Sequence, residues 1–134
     1  VSAGVGLAAF HGAAAAFDAH RGYRRMLGGS FVWHPEEREF VVDCAGGDSF
    51  RIFTEQYHLH VNPANEMVAR TRLCDGTVMP VAWRRRHGRG RVFYTALGHS
   101  RDVLDAPAVR GLFGLGVDWA CRRGGDCEVG PEGE

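Results

Sequence analysis

Lysine is absent from this 134-residue chain: all sixteen basic residues are arginine. Sixteen acidic residues balance them, so the formal net charge is zero. No global field therefore favours nucleic acid or an anionic membrane as a partner. The arginine bias reads as GC-rich coding rather than as selection for phosphate binding. No apolar stretch approaches the ~20 residues that a membrane span needs. The first ten residues lack a basic leader and a cleavage signature, which argues against a signal peptide. Cys44, Cys74, Cys121 and Cys127 include no C-x-x-C pair and no His at zinc-finger spacing. They read as free thiols of a reduced compartment, with the cytoplasm the expected setting. Cys121 and Cys127 could pair, but Cys127 sits in a Gly-rich tail. No internal repeat and no low-complexity core is visible.

The length suits one domain with a real core. Two apolar runs, each ending in a histidine, carry the most information. One is Gly6-Leu7-Ala8-Ala9-Phe10-His11-Gly12-Ala13, and the other runs from Gly90 through Leu97 and Gly98 to His99. Each reads as a buried strand that delivers its histidine to its C-terminal end, the edge where open α/β sheets bind ligands. If the strands are neighbours, His11 and His99 face one cleft. A core strand so near residue 1 is odd for a complete α/β domain, so the chain reads as the C-terminal part of a longer one.

Between these runs the pattern gives a helix over 14–27, stopped by Gly28-Gly29. Short strands follow at 31–33, 39–43, 50–53, 57–61, 66–72, 78–84 and 91–97. A basic turn is expected at 85–89 and a last helix at 106–122, with Pro107 in its first turn. Gly111, Gly114 and Gly116 weaken that helix unless it packs closely on a sheet. Residues 124–134 are polar and Gly-rich and read as a disordered tail, leaving 1–123 as the domain.

Several side chains carry chemistry. Glu55 and Tyr57 lie two apart on an extended segment and point to one side. They suit a metal or sugar hydroxyls, or equally a solvated turn Glu and a packed Tyr. His58 and His60 form an H-x-H, a spacing that can bind zinc, although a wet strand face is the better explanation. The run Arg84-Arg85-Arg86 with Arg89 and Arg91 reads as a solvated hairpin rather than a phosphate site. Core packing accounts for Trp83 and Trp119, while Trp33 beside His34 is the better candidate for stacking on a sugar. His20 and His87 read as surface, as does Glu36.

Five segments in order resemble the ThuA-like (trehalose-utilisation) family. They are Gly-Leu-Ala-Ala-Phe-His-Gly-Ala (6–13), Leu-Gly-Gly-Ser-Phe-Val-Trp-His-Pro (27–35), Thr-Glu-Gln-Tyr-His (54–58), Met-Pro-Val-Ala-Trp (79–83) and Gly-Arg-Val-Phe-Tyr-Thr-Ala-Leu-Gly-His (90–99). The resemblance implies an α/β fold: a flavodoxin-like, class I glutamine amidotransferase-like three-layer sandwich, incomplete here at its N-terminus. In related amidotransferases a Cys nucleophile occupies the strand-to-helix elbow where this chain has His11. With no Cys or Ser there, glutaminase chemistry is not expected, although His99 falls where the partner histidine would. The resemblance makes His34 a wall of the site and supports a functional Glu55 and Tyr57. The chain departs from the family pattern in a shorter 44–49 loop without a His-Pro pair, and in Thr54 where an Asp is usual.

The reading that follows is an enzyme domain of carbohydrate utilisation, acting on trehalose, a related glycoside or an oxidised derivative. His11, Glu55 and His99 are the expected catalytic residues. Tyr57, Trp33 and His34 are expected to bind substrate. His11, His34, His99 and Glu55 could together hold a divalent metal, zinc foremost. Without a metal, His99 or Glu55 serves as acid/base and His11 orients. The alternative is a non-catalytic sugar-binding or protein-interaction module. The expected partner is a small carbohydrate, with no nucleic acid or membrane, and a homo-oligomer is compatible with the sequence.

Overall fold

The computed structural model describes residues 1–121. The expected tail at 124–134, and Cys127 with it, lies outside the described residues. In chain order the elements are β1 (Leu7–Phe10), a 3-10 turn (His11–Ala14), α1 (Arg21–Leu27), β2 (Gly29–Trp33), β3 (Arg38–Cys44), β4 (Ser49–Thr54), β5 (His58–Val61), β6 (Glu66–Arg72), β7 (Val78–His87), β8 (Gly90–Thr95), α2 (Arg101–Asp105) and α3 (Pro107–Ala120).

Six strands form one sheet in the order β1-β8-β7-β6-β3-β4, and β2 pairs with β5 in a separate ribbon. β1 and β8 are parallel, with Leu7 opposite Val92 and Phe10 opposite Thr95. The adjacency that would bring His11 and His99 together is therefore present. The other described pairings in the large sheet are antiparallel. The fold is mixed α/β with few helices. Its parallel part is confined to β1–β8, at the edge that carries the two histidines.

Every residue of β8 is buried, as expected of a strand covered on both faces. Alternation sends Phe93 to one face, where it packs with Phe40, Val42, Val81, Val109 and Leu112. Val92 and Tyr94 go to the other face, with Leu27, Tyr57, Leu59 and Trp83. So α3 covers one side of the sheet, and α1 with the β2–β5 ribbon covers the other. Trp83 is wholly buried, and its indole N–H donates to the Leu27 carbonyl at 2.8 Å. That bond fastens α1 to the sheet.

Two expectations need correction. Residues 15–20 are not helical: Phe17 takes a left-handed φ of 50°, and α1 begins only at Arg21, where the His20 ring accepts from the Tyr23 amide. Alanine favours helix, but a short isolated run does not hold one without a packed face. The expected basic turn at 85–89 is mostly strand, since β7 runs on to His87. Its arginines are structural. Arg84 and Arg91 each lie 4.5 Å from the centre of the Trp119 ring, and Arg85 donates to Asn65 at 2.8 Å. The short helix α2, capped by the Ser100 hydroxyl, was not expected.

The described cysteines, Cys44, Cys74 and Cys121, are free thiols. No helix among the described residues is long and apolar enough to cross a membrane.

Candidate functional site

At the C-terminal end of β1 the chain turns abruptly. His11 adopts a left-handed φ of 46°, a strained conformation for a residue with a Cβ. Two phenols hold this elbow. Tyr94, buried in β8, donates to the His11 carbonyl at 2.8 Å. Tyr23 of α1 donates to the Ala13 carbonyl at 2.7 Å. Burial raises both phenols above their ordinary pKa, so they remain donors. On the neighbouring strand, Gly98 at φ 137° leads into His99, and a Cβ there would stand 2.6 Å from the Phe10 ring. That close approach accounts for glycine.

The imidazole of His11 is fixed from both ends. Its Nδ1–H donates to the Ala96 carbonyl at 3.0 Å, which leaves Nε2 directed outward. The Tyr57 ring stacks on it at 4.5 Å, and the Tyr57 hydroxyl lies 3.0 Å from Nε2. Burial, the largest influence, lowers the His11 pKa below 6.5, outweighing the raising effects of the Ala96 bond and Glu55. Burial and then the Glu55 charge push Tyr57 up to about 12, so its phenol keeps its proton.

Glu55 follows directly on β4, and its carboxylate is largely enclosed by histidines. One oxygen, Oε2, lies 3.2 Å from His11 Nε2 and 3.3 Å from His99 Nδ1. The other, Oε1, lies 3.2 Å from His34 Nε2. His34 repeats the tethering of His11, its Nδ1–H donating to the Pro35 carbonyl at 2.8 Å. His11 Nε2 and His99 Nδ1 are 3.3 Å apart. His11, Glu55 and His99 thus offer three ligand atoms at the corners of a nearly equilateral triangle. A tetrahedral shell with zinc bonds of ~2.0–2.1 Å also sets its ligands about 3.3 Å apart.

Of the expected site residues, the structure brings His11, His34, Glu55, Tyr57 and His99 into one group. His34 sits on the far oxygen of Glu55, outside the triangle. Trp33 is half-exposed and packs on His58 at 4.7 Å, apart from the cluster. That contact also occupies one member of the H-x-H pair. Sequence reasoning passed over Tyr94 and Tyr23, since a phenol within an apolar run looks the same as a packing aromatic. It missed Phe31 as well, whose ring backs Tyr57 at 4.6 Å.

The sequence matches the family described as "ThuA: Trehalose utilisation" over residues 1–120. The chain belongs to the ThuA family. A solved ThuA-like protein from Parabacteroides merdae superposes with a TM-score of 0.81 at 17% identity, covering 98% of this chain and 65% of that one. The chain therefore spans somewhat less than two thirds of that ThuA-like structure. A β-galactosidase from Bacillus circulans sp. alkalophilus shares the fold more distantly, with a TM-score of 0.52 and 17% identity over 75% of this chain and 14% of its own. No match was found among curated proteins.

Proposed function

We propose that this ThuA-family domain holds a divalent metal, zinc foremost, through His11 Nε2, Glu55 Oε2 and His99 Nδ1, and uses it in the chemistry of a carbohydrate such as trehalose or a related glycoside. The observation that carries this reading is the triangle of ligand atoms 3.2–3.3 Å apart. Two further features support it. The Nδ1–H of His11 is spent on a backbone carbonyl, an arrangement that recurs in metal-ligating histidines. Burial also favours the neutral form of that ring, the form that binds a metal.

When bound, such a metal polarises a carbonyl or lowers the pKa of water. The residues supply the remainder. As an imidazolium, donating from both ring nitrogens, His34 would hold Glu55 Oε1 and so fix how Oε2 is presented. Tyr57 keeps its proton and is a donor for a substrate oxygen. His99, the most open of the group, with 42% of its side chain exposed, stands where a substrate would enter. The elbow at 11–14 has no thiol or hydroxyl, so no acyl-enzyme step is assigned to it. In this reading β1–β8 is the ligand-binding edge of a flavodoxin-like sheet.

The test is metal content of purified protein by mass spectrometry, wild type beside His11→Ala, Glu55→Ala and His99→Ala. About one zinc per chain, lost in all three variants, is the expected result. Folded wild type that takes up no divalent metal on reconstitution would end the metal reading. Saturable sugar binding with no turnover in zinc-loaded protein would favour a binding module over an enzyme.

A further inference from the structure

Beside His99 lies a groove of about 500 Å³ that the metal reading does not use. Its walls are Glu37 from the β2–β3 connection, Phe53 from β4, and Ser100 and Asp102 from the start of α2, with Ile52 and Val103 at its base. Its volume falls within the ~300–1,000 Å³ typical of small-ligand pockets. His99 belongs both to this lining and to the ligand triangle, so the groove opens directly beside the proposed reaction centre.

We propose that this groove is a subsite for an uncharged sugar ring adjoining the one that reacts. Phe53 supplies the platform. It is 62% exposed although it belongs to a strand beside the core, an uncommon setting for so large an apolar surface. The C–H face of a pyranose is apolar and flat, and it covers such a ring. The Ser100 oxygen accepts from the Val103 amide at the α2 cap and keeps its O–H to donate, so the polar groups facing a ligand are that hydroxyl, His99 and two carboxylates, the carboxylates being the charged pair. Neither Glu37 nor Asp102 has an ion-pair partner among the described residues. Ionised carboxylates only accept hydrogen bonds, and a sugar's hydroxyls only need to donate them. The same two charges repel a phosphate or a uronate in a groove with an apolar base. The geometry thus selects hydroxyls over anions, which composition could not reveal in a chain of zero net charge.

This inference rests on the proposed metal site only for the groove's position beside the reaction centre, and its test is separable. Binding of trehalose, maltose, cellobiose and trehalose 6-phosphate would be measured by calorimetry on zinc-treated full chain. The variants are Phe53→Ala and the double change Glu37→Gln with Asp102→Asn, with zinc content and thermal melts recorded for each. At least one neutral disaccharide is expected to bind, and Phe53→Ala to weaken it by about tenfold or more with zinc content unchanged. The phosphate ester is expected to bind at least about tenfold more weakly than trehalose in wild type, and the double variant to remove most of that difference. Unchanged binding in Phe53→Ala, equal binding of the phosphate ester by wild type, or no binding of any neutral disaccharide by folded protein would each overturn the subsite. Zinc bound without sugar binding would remove this proposal alone. Sugar binding without zinc would remove the metal reading alone.

Discussion

Replacing His11 by alanine and by glycine separates what this residue does for the site from what its backbone costs the fold. With φ at 46°, His11 places a Cβ against the following carbonyl, at a cost of about 1–2 kcal/mol. Wild type offsets this with the Nδ1–H bond to Ala96, worth about 1 kcal/mol net. Stacking on Tyr57 adds roughly 0.5–1.5 kcal/mol. Both variants lose these contacts, and both lose a metal ligand. Alanine keeps the strained Cβ, whereas glycine removes it. Glycine also loosens the unfolded chain, which returns about 0.4–1 kcal/mol of the gain. The balance leaves His11→Gly more stable than His11→Ala by about 0.5–1 kcal/mol. For a domain of this size that is a few degrees in Tm. The assay is thermal denaturation of both variants and wild type in chelator, so that metal does not enter the comparison. An alanine variant as stable as the glycine variant, or more so, would refute the claim that the elbow is strained.

Other outcomes follow from the same geometry. Tyr94→Phe leaves the His11 carbonyl without its donor, so it should lower stability by about 1–2 kcal/mol and weaken zinc affinity, as read by denaturant titration and a competitive chelator. Gly116→Ala would drive a Cβ to 2.1 Å from the Phe93 ring, whereas at Gly114 nothing lies within 4 Å. The first should therefore destabilise by about 1–3 kcal/mol, and the second should stabilise by up to about 1 kcal/mol through helix propensity. Because burial lowers the His11 pKa below 6.5, the unfolded chain binds the proton more readily than the folded one. The His11 contribution to stability is then present above pH 6.5 and is lost as pH falls through the lowered folded value. Melts of chelated protein between about pH 5 and 8 should show this slope, and His11→Ala should flatten it.

Much of the site was legible in sequence because strand ends are. Two apolar runs that each stop at a histidine announced β1 and β8, and their parallel pairing put His11 beside His99. Glu55 and Tyr57 were also marked, by two-residue spacing on an extended segment and by the family resemblance. The roles within the group were not legible. That His34 meets one carboxylate oxygen while His11 and His99 meet the other depends on χ angles and on two backbone carbonyls. The helix expected at 14–27 failed at its start for a tertiary reason: the chain spends residues 11–20 holding the elbow, and α1 begins only after Phe17 reverses it. The arginine run misled because a charge run looks solvated until its stacking partner is known, and here Trp119 comes from α3, far along the chain. The three helix glycines divide the same way. Gly116 serves close packing on Phe93, while nothing within 4 Å explains Gly111 or Gly114.

Anomalous diffraction at the zinc edge, from crystals of zinc-treated protein, tests the central claim most directly. The account predicts one strong peak about 2.1 Å from each of His11 Nε2, His99 Nδ1 and Glu55 Oε2. His34 should remain on Glu55 Oε1, outside the first coordination sphere. No peak among these three atoms, or a peak held by other residues with this triangle empty, would contradict it.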